Sequence, residues 1–125
     1  MIHGIGADIV EVERISELCR HYGDRFQERI LTLDEMQAFD SSASPMHFLA
    51  KRFAAKEAFS KALGTGLRYP VSFGNITVVK DGLGKPGFRY NQALSDYLQQ
   101  LGISHCHLSL SDERTVACAF VVIER

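Results

Sequence analysis

The sequence predicts an α+β fold in which a largely antiparallel sheet packs with one long central helix. Three observations predict it. Apolar residues recur at strand spacing at the two ends of the chain, and the last two such segments lie close enough to pair as a hairpin. A helical pattern over residues 45–63 is far longer than any other. Polar or glycine-rich turns separate the elements in the order strand, helices, strands, helix, hairpin. At 125 residues the chain is expected to form one domain, 1–125.

Residues Ile2–Val10 read as a strand, apolar at Ile2, Ile5, Ala7 and Ile9 and interrupted by Gly4 and Gly6. Val12, Ile15, Leu18, Cys19 and Tyr22 then recur at helical spacing, and Gly23 stops that helix. Asp24 is placed to cap a short helix through Ile30, and Thr32 with Glu35 forms a capping box for another reaching about Phe39. After the polar loop Asp40–Ser44 comes the long helix. Ser44 suits its N-cap, Pro45 its first turn, and Gly64 its stop. Asn75–Lys80 reads as a strand, Asp81-Gly82 as a turn, Leu83–Pro86 as a loop and Gly87–Tyr90 as a short strand. Asn91 caps a helix to Leu101, stopped by Gly102. His105–Ser111 and Val116–Glu124 close the chain as strands joined by Asp112-Glu113-Arg114.

Composition narrows the function. The formal net charge of −1 argues against general nucleic-acid binding. No apolar run approaches a membrane span, and the N-terminus lacks the regions of a signal peptide. Cys19, Cys106 and Cys118 are widely spaced, odd in number and set among apolar neighbours, so reduced, buried thiols in a cytoplasmic protein are expected.

The long helix carries the main chemical signal. At about 100° per residue, Met46, Leu49, Ala50, Phe53 and Ala54 share a face, and Glu57 projects from the centre of it. A carboxylate on a core-facing stripe needs a cation as partner. Lys61, one turn on, could pair with it, and a metal ion could bind it. The stretch Ser44–Leu67 holds Lys51, Arg52, Lys56 and Lys61 against the single acid Glu57. Two readings stay open: an anionic ligand near this helix, or a solvated basic face supported by a Glu57–Lys61 pair. Asp8, within an apolar strand, is a second anomaly. Asp8 and Glu57 together would suit Mg²⁺, which takes oxygen ligands from one or two carboxylates, phosphates and water. His105, His107, Ser109 and Ser111 share one face of their strand, with Leu108 and Leu110 on the other. Gly64-Thr65-Gly66 either ends the helix or lets backbone approach a phosphate.

Gly6-Ala7-Asp8-Ile9-Val10-Glu11, followed by Phe53-x-x-Lys56-Glu57-Ala58-x-x-Lys61, resembles the short bacterial group of 4′-phosphopantetheinyl transferases, the holo-acyl-carrier-protein synthases. Gly64-Thr65-Gly66, Leu83-Gly84-Lys85-Pro86 and His107-Leu108-Ser109-Leu110-Ser111 resemble further family segments, so the likeness spans the whole chain. It implies an Mg²⁺-dependent enzyme of fatty acid biosynthesis. Such an enzyme moves the 4′-phosphopantetheine arm of coenzyme A to a serine of apo-acyl carrier protein and releases adenosine 3′,5′-bisphosphate. By that resemblance Asp8 and Glu57 bind the metal and Lys61 contacts phosphate. Arg52, Gly64, Thr65, Gly66, His107 and Ser109 lie near coenzyme A. Arg14, Leu18, Arg25 and Phe26 dock the acidic carrier. The family is typically a homotrimer with shared sites. The loop Asp40–Ser44 lacks the bases that relatives often carry there for the 3′-phosphate. The competing expectation is a non-catalytic module that binds coenzyme A or a carrier protein.

Overall fold

The computed structural model describes residues 1–125. The chain runs β1 (Ile2–Glu11), α1 (Val12–Tyr22), α2 (Asp24–Ile30), α3 (Leu33–Asp40), α4 (Pro45–Leu63), a 3₁₀ turn (Phe73–Asn75), β2 (Ile76–Lys80), β3 (Pro86–Tyr90), α5 (Gln92–Gln100), β4 (His105–Asp112) and β5 (Val116–Glu124). The strands form two antiparallel sheets rather than one: a three-stranded sheet ordered β1-β5-β4 and a separate β2-β3 hairpin. The α+β expectation holds, with α4 at the centre, packed on the inner face of the larger sheet.

Register decides which side chains meet. Asp8 lies opposite Ala119, and Ala119 opposite Leu110, on the face toward α4. Ala7, Phe120 and Ser109 form the next row, on the outer face. Period-two alternation therefore sends Asp8 inward and Ser109 outward.

Gly4 and Gly6, which interrupt the strand pattern in the sequence, have a packing reason. A Cβ at Gly4 would overlap the Ala62 carbonyl oxygen, and one at Gly6 the Ala58 carbonyl oxygen. The absence of side chains lets the backbone of α4 rest directly on β1.

The long helix is buried around most of its circumference, not along one stripe. Leu49, Ala50, Ala54, Ala55, Ala58 and Phe59 are fully enclosed, whereas Met46, Phe53 and Glu57 are only half-buried. Glu57 thus sits at the margin of the apolar face, not at its centre. The charged groups that enter the core are Lys56, Arg52 and Glu35. Lys56 Nζ lies 2.6 Å from Glu35 Oε1. Burial drives the Lys56 ammonium below the usual lysine range, and Glu35 opposes that shift. Two of the four bases counted in this stretch, Arg52 and Lys56, are therefore turned inward and share the single Glu35 carboxylate.

The caps follow chemistry with two exceptions. Asn91 accepts from the Leu94 amide, and the Thr32–Glu35 capping box is formed. Ser44 stands at the N-cap of α4 without a side-chain cap bond, and Asp24 is the first residue of α2, where Gly23 is the cap. Gly64 ends α4 in the left-handed conformation, with φ of 90°. The three cysteines are free but half-buried rather than fully enclosed. No helix is long and apolar enough to cross a membrane.

Candidate active site

Three sequence-predicted residues converge where β1 meets α4. Asp8 projects from β1 toward the helix, and Glu57 and Lys61 project from successive turns of α4. Lys61 Nζ lies 3.1 Å from Asp8 Oδ1 and donates to the Ala7 carbonyl at 3.0 Å. The lysine thus pairs with Asp8 across the chain, and the expected Glu57–Lys61 pair along the helix is not made. Glu57 has no ion-pair partner. Burial pushes its carboxyl above the usual glutamate range, and the Asp8 carboxylate adds to the rise. Lys61 and Arg14 oppose it, so α1 also reaches this corner.

An unpaired, partly desolvated carboxylate beside a second one is a donor set that a hard dication would satisfy. Only two carboxylates meet here, and no cluster of three or more ligating side chains exists. That count suits Mg²⁺, which usually keeps water and phosphate oxygens in its shell, better than a caged structural metal.

Arg52 lies further back along α4. It is 6% exposed, and its guanidinium carbon sits 4.2 Å from the centre of the Phe48 ring. Its Nε is 3.2 Å from Glu35 Oε2, but the N–H is out of line and makes no hydrogen bond. Arg52 borders a polar cleft of about 570 Å³ whose other charged lining residues are Lys51, Lys80, Arg114, Asp112 and Glu113, with Lys51 Nζ 3.5 Å from Asp112 Oδ1. The loop before α4 has no base of its own, as its sequence says. The fold instead brings Lys80 from β2 and Arg114 from the β4–β5 turn to the same cleft. Nothing in their spacing announces this.

His107 and Ser109 are exposed on the outer face of β4, the opposite face of the sheet from Asp8 and at its far edge. His107 Nε2 lies 2.7 Å from Glu124 Oε2. The single chain therefore does not bring these two residues together with Asp8, Glu57 and Lys61. Gly64-Thr65-Gly66 follows Lys61 directly, with Gly66 also at positive φ, 67°. The Thr65 hydroxyl donates to the Gly66 carbonyl.

Beside the convergence point runs a groove of about 430 Å³, lined by Tyr22, Arg25, Phe26, Arg29, Phe53 and Phe73, with Ile30 at its base. The Phe26 and Phe53 ring centres are 6.4 Å apart, and those of Phe53 and Phe73 5.6 Å. Arg25 and Phe26 were expected at a docking surface; Phe53 was read only as part of the apolar stripe and of the motif on the long helix, and Phe73 was not singled out. Leu18 is half-buried against the core, and Arg14 is exposed near Glu57.

A family model described as the 4′-phosphopantetheinyl transferase superfamily matches residues 4–121. The chain belongs to this superfamily. It is 52% identical to the holo-[acyl-carrier-protein] synthase of Nitrosospira multiformis over the full length of both chains. The crystal structure of the holo-[acyl-carrier-protein] synthase from Neisseria meningitidis superposes with a TM-score of 0.98 at 53% identity, covering all of both chains. The Helicobacter pylori enzyme in complex with coenzyme A matches with a TM-score of 0.84 at 29% identity, over 96% of this chain and 99% of that one. The α4 segment that carries the resemblance read from the sequence has Lys56 turned into the core and Glu57 and Lys61 turned toward Asp8.

Proposed function

We infer that this chain transfers the 4′-phosphopantetheine group of coenzyme A to a serine of apo-acyl carrier protein, releasing adenosine 3′,5′-bisphosphate. It acts as a holo-[acyl-carrier-protein] synthase. The observation that carries the reading is the meeting of Asp8, Glu57 and Lys61 in a fold shared end to end with such synthases. Serving fatty acid biosynthesis in the cytoplasm is part of the proposal.

The reaction forms a bond from the serine oxygen to the phosphorus that carries the pantetheine arm. It breaks the bond from that phosphorus to the leaving bisphosphate. Such a transfer needs in-line alignment and neutralisation of spreading negative charge. Asp8 and Glu57 would hold Mg²⁺, which supplies Lewis-acid charge to the pyrophosphate. Lys61 is half-exposed at 53%, so its ammonium is free to turn from Asp8 to a phosphate oxygen. Arg52 lines the polar cleft, while its unpartnered Nε stays buried beside Glu35. There Lys51, Arg52, Lys80 and Arg114 outnumber Asp112 and Glu113, and that net positive charge suits the anionic nucleotide end of coenzyme A. The serine proton leaves to Glu57 or to solvent.

The site is shared between copies in a homotrimer. Two features support this. His107 and Ser109 lie exposed on the face of the sheet away from Glu57, where they could serve a site only together with another copy. That same face exposes Ile5 at 71%, Ile9 at 69% and Phe120 at 60%, an apolar patch that association would cover. The carrier docks along Arg14, Leu18, Arg25 and Phe26, where arginines border an aromatic groove beside the convergence point.

The test is a mass measurement. Apo-carrier incubated with coenzyme A, Mg²⁺ and this protein should gain the mass of the phosphopantetheine arm. An unchanged carrier alongside retained coenzyme A binding would make the protein a non-catalytic binding module instead.

A further inference from the structure

Lys56 and Glu57 are neighbours in sequence but serve different sides of α4. Glu57 faces the candidate site. Lys56 is wholly buried, and its ammonium donates to three acceptors: the Ile30 carbonyl at 2.7 Å, Glu35 Oε1 at 2.6 Å and the Phe73 carbonyl at 3.0 Å. An ammonium has three donors, so every one is used. Ile30 is the last residue of α2, and Phe73 opens the 3₁₀ turn. Both also line the aromatic groove, whose third wall is Phe53, one turn before Lys56 on α4. The ammonium therefore ties the three segments that build the groove to one point beneath it. Glu35 completes the anchor by accepting from the Val78 and Thr32 amides, which fixes the carboxylate from two further elements.

A buried ion pair is weak evidence for stability, since apolar replacements of the same volume often fold as well or better. Its geometric effect is more specific here. The Ile30 carbonyl closes a helix end and has no intrahelical partner without Lys56. Remove the ammonium, and α2 and the 3₁₀ turn lose their common tie. The Phe26–Phe53–Phe73 spacing then loses its constraint.

We propose that Lys56 is a positioning residue for the carrier protein: it sets the geometry of the groove formed by α2, α4 and the 3₁₀ turn without touching coenzyme A. This rests on the reading of that groove as the carrier dock. The test compares Michaelis constants for the two substrates in Lys56→Met, whose side chain matches the lysine stem as far as Cε and lacks the ammonium. The expected result is a rise of about tenfold in KM for apo-carrier, the scale of one lost hydrogen-bond tie. KM for coenzyme A should stay within about twofold, because no ligand contact is removed. A merely structural lysine would lower the melting temperature and leave both constants of the folded enzyme unchanged; that result overturns the proposal. So does an equal rise in both constants. If Lys56→Met does not fold, Lys56→Met/Glu35→Gln removes the stranded carboxylate and the same comparison is made on it. Failure of both to fold assigns Lys56 to stability and also overturns the proposal. Arg25→Glu, measured in parallel, separates the two inferences. An unchanged carrier KM in Arg25→Glu refutes the dock itself. A raised carrier KM there with no effect in Lys56→Met refutes only the role of Lys56.

Discussion

Gly6 and Ala58 meet backbone to backbone: the Gly6 α-carbon faces the Ala58 carbonyl with no room for a methyl group. This contact, repeated at Gly4 against Ala62, sets the height of α4 above β1 and hence the distance between Lys61 and Asp8. Gly6→Ala should cost about 1–3 kcal/mol or more, the range for overpacking a tight core contact. Urea denaturation should show a lower midpoint, and turnover should fall even where the protein stays folded, because α4 must lift. An unchanged midpoint would show that the helix yields freely there.

Glu57→Gln removes a charge that the fold disfavours while keeping its shape. The folded-state value of Glu57 is raised, so the folded protein holds a proton that the unfolded chain has released between the two values. Metal-free stability is then highest below the ordinary glutamate value and declines as pH rises through the raised one. The variant should lose that decline and melt at the same temperature as the parent, or above it, at neutral pH. Its Mg²⁺-dependent turnover should drop by more than about a hundredfold, beyond the loss seen when an outer-shell partner of a metal is removed. Asp8→Asn should also lose turnover. Normal turnover at unchanged Mg²⁺ demand in either variant would remove that residue from the metal site.

Phe120→Glu places a charge in the exposed apolar patch of the sheet. Sedimentation should give three subunits for the parent and a smaller species for the variant, with activity lost alongside. A second check uses two inactive variants, Glu57→Gln and His107→Ala. Mixed before assembly, they should regain activity, because a site formed between copies can draw Glu57 from one and His107 from the other. A fully active monomer would dispose of shared sites.

Arg14→Glu should weaken carrier binding and make the residual affinity less dependent on salt, while coenzyme A affinity stays near normal. Isothermal titration at two ionic strengths reads both. Reduced coenzyme A affinity with intact carrier affinity would move Arg14 from the docking surface to the nucleotide site.

Several site residues were legible from one-dimensional signals. Asp8 stood out as an acid in an apolar strand, and Glu57 and Lys61 stood out on a helix whose extent was clear, although the single apolar stripe read for it is not how it packs. Their convergence was not legible, because it depends on how far β1 and α4 slide past each other. Glu35 was read as a capping-box residue, which it is. Its second role, receiving Lys56 and facing Arg52, involves partners far along the chain, and local spacing carries no trace of them. Lys80 and Arg114 were missed for the same reason: each looks like an ordinary turn-flanking base until the chain folds.

The sequence by itself determined the elements and their chemistry: the strand at the start, the glycine-stopped helices, the signature on α4 and the alternation that puts His107 with Ser109. These are short-range properties, dictated by steric preference and by periods of two and about 3.6 residues. Tertiary structure decided which charges are buried, that Lys61 pairs with Asp8 rather than Glu57, and that His107 faces away from Glu57. Those outcomes depend on desolvation and on strand register. Register is chosen by the whole packed core, and a slip of one residue would turn Asp8 outward and Ala7 inward.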